Sequence, residues 1–128
     1  MRILALDHGT ARCGCAITDP SGTLVRPLPV IEPPEPESVA EIVAEHEVEL
    51  VVVGLPVALS GKEGGQAEIA RRFADEVAAL IEVPVETYDE RFTTALAQSS
   101  ARAGARADED SLAAAHLLES YLDTRATR

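Results

Sequence analysis

At 128 residues the chain is long enough to bury one core and short for two, which predicts a single domain over 1–128. Its hydrophobic fraction is 46% and aromatics are only 3%, a composition for aliphatic packing; no apolar run nears the ~20 residues of a bilayer span, and Met1-Arg2-Ile3 opens no signal peptide, so the expectation is a soluble cytoplasmic protein without a membrane partner. The net charge of −11 argues against a generic nucleic-acid binder, yet seven glutamates between Glu32 and Glu49, with no Lys or Arg among them, contribute −7 and leave −4 for the rest.

Residues 2–7 read as a buried strand and 12–18 as a second, joined by a glycine-containing turn. Cys13 and Cys15, two apart on that second strand, share one face and read as small buried residues rather than a metal site. Asp19-Pro20-Ser21-Gly22 is a turn, so a third strand follows over 23–31 and completes an antiparallel meander. After Pro33, Pro34 and Pro36, the pattern Ser38-Val39-Ala40-Glu41 is a capping box, and Val39, Ile42 and Val43 give the stripe of a helix ending near Glu47. Leu50 to Val53 is a continuous apolar run, typical of a strand covered on both faces. A loop over 58–65 leads to a helix whose apolar residues are Ile69, Phe73, Val77, Leu80 and Ile81. Val83 to Tyr88 is a fifth strand, Thr93 caps a short helix through Ser100, and a last helix over 109–122 turns Leu112, Ala115, Leu118 and Leu122 inward. The order β-β-β-α-β-α-β-α-α predicts an α/β, ribonuclease-H-like fold: a mixed five-stranded sheet with helices on its faces.

That order brings carboxylates together. Asp7 ends the first strand, Asp89 and Glu90 end the fifth, and Asp110 lies in the first turn of the last helix. If strands one and five run parallel, these ends share one edge of the sheet, the usual ligand edge of such folds. Clustered carboxylates repel unless a cation lies between them, and an oxygen-only set suits Mg²⁺ or Mn²⁺. Two such ions ~3.5–4 Å apart activate a water and stabilise the leaving oxygen of a phosphodiester. Each acid also has a plainer role: Asp110 with the helix dipole, Asp89 with Arg91, Asp7 with turn amides. His8 reads as a solvent-exposed turn histidine. Gly54…Gly61-Lys62 is no P-loop, with six residues where four are required and Glu63 where Ser or Thr is needed. The Asp-x-Gly-Thr turn also occurs in sugar-kinase and actin-like ATPases, but those need two lobes and 128 residues provide one.

Asp7-His8-Gly9-Thr10-Ala11-Arg12-Cys13-Gly14, Val53-Gly54-Leu55-Pro56, Gly61-Lys62-Glu63-Gly64-Gly65-Gln66-Ala67, Arg72-Phe73-Ala74, Asp89-Glu90-Arg91-Phe92-Thr93-Thr94 and Asp110-Ser111-Leu112-Ala113-Ala114 occur in one order, closing on Ser120-Tyr121-Leu122. Together they resemble the YqgF family, also called RuvX, over essentially the whole chain. The resemblance implies a ribonuclease-H-like nuclease with Asp7, Glu90 and Asp110 as catalytic and metal-holding acids, Glu90 being the middle acid of Asp-Glu-Arg. It implies processing of the 5′ end of pre-16S ribosomal RNA, with four-way DNA junctions as the alternative substrate, and a monomer or homodimer. A non-catalytic ribosome-assembly factor is the reading from another class. Arg12, Lys62 and Arg91 are the candidate phosphate contacts. The chain departs from the family pattern at Ala11, where a Lys is common, near Ala58, where an Asn is common, and between Ala101 and Asp110, where Arg102 and Arg106 are the only cations.

Overall fold

A computed structural model of the chain describes residues 1–56, 64–90 and 109–126. Strands β1 (Ile3–His8), β2 (Cys13–Thr18) and β3 (Val25–Ile31) form the expected meander, antiparallel throughout. Helix α1 (Pro36–His46) leads to β4 (Leu50–Leu55), and α2 (Gly65–Ala78) to β5 (Val85–Asp89). The third described helix, α3, is Glu109–Ala126. The sheet order is β3-β2-β1-β4-β5, with β4 parallel to both β1 and β5. The short helix expected from Thr93 lies outside the described residues.

Alternation along each strand divides the core in two. Leu4, Leu6, Cys13, Cys15, Ile17, Val51 and Val53 face α1 and α2, where Val39, Phe73 and Val77 meet them. Ile3, Ala5, Ala16, Leu50 and Val52 face α3 and pack on Ala114, Leu117, Leu118 and Tyr121. Both faces of β1, β2 and β4 are therefore dry, which is why their sequences read as unbroken apolar runs. The two cysteines are buried free thiols, as expected, and a hydrogen bond from one to the other together with burial holds the Cys13 thiol protonated.

Several local expectations are corrected. Helix α1 begins at Pro36, with Glu35 at its N-cap and no side-chain cap, so the Ser38 box is not used. Proline's fixed φ starts the helix earlier, and the Ser38 N–H bonds the Glu35 carbonyl at 3.1 Å. On α2 the buried stripe is Ala67, Ala70, Phe73, Ala74 and Val77, whereas Ile69, and Leu80 just past the helix end, are exposed. Small alanines let the helix lie close to the sheet, a signal hidden by the bulkier neighbours. On α3, Leu112 and Leu122 are half-buried while Ala114, Leu117 and Tyr121 take the inner face. The turn after β2 is as read: Asp19 Oδ1 accepts the N–H groups of Thr23 and Leu24, at 2.9 and 3.0 Å, and Gly22 sits at φ +76°.

Candidate active site

Strand parity decides which face the acids occupy. Asp7 follows Ile3 and Ala5 in alternation and so points to the α3 side, whereas His8 follows Leu4 and Leu6 to the other. His8 indeed stacks on Phe73 of α2, ring centroids 4.3 Å apart, and burial lowers its pKa, so it is not the exposed turn residue expected. On β5, Glu86 accepts a hydrogen bond from Tyr121 and Tyr88 packs beside it, so the even positions face α3. Glu90, one residue past β5, continues that row.

Two glycines make room there. Gly14 pairs with Asp7 across the β1–β2 ladder, and a Cβ on it would collide with the backbone of Asp110. The first turn of α3 is thus seated directly on β2. Gly54 lies at the matching end of β4, where a Cβ would come within 2.9 Å of the Glu90 side chain and of Leu117 Cδ2. Ser111 fixes the helix further. Its hydroxyl donates to the Leu28 carbonyl at 2.6 Å and accepts the Cys15 N–H at 3.3 Å, where the β2–β3 register shifts. Asp110 is therefore held next to the strand that carries Asp7's neighbour.

The acids are electrostatically joined. Asp7 and Glu90 are hydrogen-bonded through their side chains, and such a bond between two carboxyls requires a proton. Burial, and then the charge of Asp7, push Glu90 up to about 8. Burial is also the main cause that raises Asp7, with Asp110 adding repulsion. Asp110 itself accepts a hydrogen bond from Arg12 Nε, and Arg12 Nη1 lies 3.8 Å from Glu32. Among the described residues no three His, Cys, Asp or Glu side chains already form a metal cage, since Asp110 is turned toward Arg12. The donors nevertheless fit a hard divalent cation: they are all carboxylate oxygens, and two of them share a proton that a cation would replace.

The structure places four of the predicted residues in one neighbourhood, namely Asp7, Glu90, Asp110 and Arg12. Lys62 and Arg91 lie outside the described residues. Sequence reasoning missed the supporting parts: the two glycines as spacers, the Ser111 anchor and the Glu32 partner of Arg12. Gly14 and Gly54 were visible as glycines inside strand patterns, a known mark of close backbone approach.

A three-stranded meander extended by two parallel strands, with acids gathered at the carboxyl ends, defines a ribonuclease-H-like protein. Solved structures agree on the fold: RuvC of Thermus thermophilus superposes with a TM-score of 0.62 at 17% identity, covering 98% of this chain and 97% of that one. The Holliday junction resolvase of fowlpox virus gives 0.58 at 14% identity, covering 97% and 99%. A family profile described as "RuvX: Holliday junction resolvase" matches residues 1–124, and the chain belongs to the RuvX family. Relatives named "Putative pre-16S rRNA nuclease" include one from Chloroflexus aurantiacus, 40% identical over 96% of this chain and 87% of its own length. Another, from Desulforudis audaxviator, is 42% identical over 98% and 96%.

Proposed function

We propose that the chain, acting as one domain over 1–128, is a divalent-cation-dependent nuclease that hydrolyses phosphodiesters at the 5′ end of pre-16S ribosomal RNA in the cytoplasm. The observation that carries this reading is the proton-sharing pair Asp7–Glu90 with Asp110 seated beside it across Gly14. Family membership supports the reaction class, and the names of the relatives support the RNA.

Asp7, Glu90 and Asp110 would hold the cation, Mg²⁺ or Mn²⁺. When bound, such an ion supplies the charge that activates water and stabilises a leaving oxygen. The chain's own contribution is placement. Asp7 comes from the end of β1, Glu90 from the residue after β5, and Asp110 from a helix pinned by Ser111, so holding the cation would require Asp110 to turn from Arg12. Arg12, more than half exposed beside Asp110, is the cation placed to receive a phosphate there. Lys62 and Arg91 are further phosphate contacts in this reading.

Resolution of four-way DNA junctions is the second reading, favoured by the profile's description and by the likeness in fold to two resolvases. Cutting two strands in step needs a symmetric dimer. The test incubates the full chain with a pre-16S 5′ leader and with a DNA junction, in Mg²⁺, Mn²⁺ or EDTA, with Asp7→Asn as control. Metal-dependent cleavage of the RNA, lost in Asp7→Asn, is expected. Cleavage that survives EDTA and Asp7→Asn overturns the cation mechanism. Junction cleavage by a dimer, with the RNA left intact, selects the second reading. A protein that binds the leader but cuts neither substrate is an assembly factor.

A further inference from the structure

Beyond Glu32, which pairs with Arg12, the glutamate-rich stretch lies outside the candidate site, and the fold gives it a shape. Between the outer strand β3 and helix α1 runs a groove of about 460 Å³. Its floor includes Leu28, Ile31 and Ile42, and its rim carries the exposed carboxylates of Glu32, Glu35, Glu41 and Glu45. Residues 27–61 contain no Lys or Arg, and His46 is the one basic side chain they bring to the groove. Among the described residues the one basic side chain paired with this rim is Arg12, on Glu32.

We propose that this groove receives an extended, Lys/Arg-rich segment of a protein partner. Three observations select that occupant. A negative rim repels phosphates, which excludes the nucleic acid itself, and attracts cationic side chains. An apolar floor beneath a charged rim suits residues with aliphatic stems and charged heads, which is the shape of Lys and Arg. Pro27 and Pro29 remove two N–H groups from the edge strand, so a visiting strand cannot extend the sheet along its full length and is gripped by side chains instead. The groove also connects to the catalytic neighbourhood through Glu32 and Arg12, so a bound partner would sit next to nucleic acid held there. The groove's occupant is argued from rim, floor and proline alone; only this juxtaposition rests on the proposed nuclease reading.

An acidic protein attracts any polycation, so the test must separate this groove from net charge. The probe is a fluorescein-labelled octapeptide, Arg-Lys-Ile-Arg-Lys-Leu-Arg-Lys, titrated by anisotropy into the full chain. The variant Glu35→Gln/Glu41→Gln/Glu45→Gln is compared with Glu68→Gln/Glu76→Gln/Glu82→Gln, which removes equal charge from exposed positions elsewhere. The groove variant is expected to weaken binding at least ~10-fold and the control less than ~2-fold, with amide shifts confined to Leu28, Ile31 and Ile42 and their neighbours. Equal weakening by the two variants, or shifts spread over the surface, reduces the effect to bulk charge and overturns the proposal. Displacement by spermidine at matched charge concentration assigns the groove to polyamines and overturns it as well.

Discussion

Glu90 offers the sharpest test of the site, because its environment makes stability depend on pH in a set direction. An ordinary glutamate releases its proton near 4.5, whereas burial and the adjacent Asp7 hold Glu90 up to about 8. Between those values the folded chain keeps a proton that the unfolded chain has lost. The stabilisation is therefore complete below pH 4.5 and disappears as pH rises through about 8. A gap of that size corresponds to at most ~5 kcal/mol, and sharing the proton with Asp7 brings the expected loss to about 2–5 kcal/mol. Glu90→Gln retains a neutral donor toward Asp7, so its stability should stay level over the same range. The assay is urea unfolding from pH 5 to 9 in EDTA for both proteins, scored as their difference at each pH. Wild type should lose ground to Glu90→Gln as pH rises, and Mg²⁺ or Mn²⁺ at pH 8 should restore it. A difference that stays constant from pH 5 to 9 would refute the buried, proton-sharing pair.

Arg12 is bonded to Asp110 and, in the proposed reading, also meets phosphate, so Arg12→Gln should move two affinities in opposite directions. Leader RNA should bind more weakly with a salt dependence shallower by about one phosphate contact, while calorimetric Mn²⁺ affinity should rise because Asp110 loses a competing cation. A parallel fall in both would show that Arg12 supports the acids rather than competing for one. Ser111→Ala leaves the buried Cys15 N–H and the Leu28 carbonyl without their hydroxyl partner, and should cost about 1–3 kcal/mol in urea unfolding.

Strands β1, β2 and β4 were legible because burial on both faces writes long apolar runs, and the turn chemistry around Asp19 and Gly22 is local. The Asp7 position was legible for a related reason: a carboxylate at the end of such a run contradicts its surroundings unless it has a task. What the linear pattern could not carry was depth. Nothing in the residues Ala67, Ala70 and Ala74 announces that a helix lies flat on a sheet until the sheet is present, and so Ile69 and Leu80 were assigned inward. Ser38 matched a capping box, yet Pro36 two residues earlier had already fixed the backbone. Glu90 rather than Asp89 follows in sequence from the family motif alone; the parity of β5, seen in Glu86 and Tyr88 against Tyr121, puts Glu90 on the α3 side. His8 was misplaced because its neighbour in space, Phe73, is remote in sequence.

The seating of α3 on Gly14 also has a consequence for timing. Arg12 and Asp110 are 98 positions apart in the chain, and Asp7 stands earlier still. During synthesis the strands that carry Asp7 emerge long before the helix that carries Asp110. Until that helix docks, the Ile3–Ala5 face of the sheet is uncovered and the acid set is incomplete. Asp110 thus joins Asp7 only when the second hydrophobic layer closes. Folding of the second hydrophobic layer and assembly of the acid set are therefore one event rather than two.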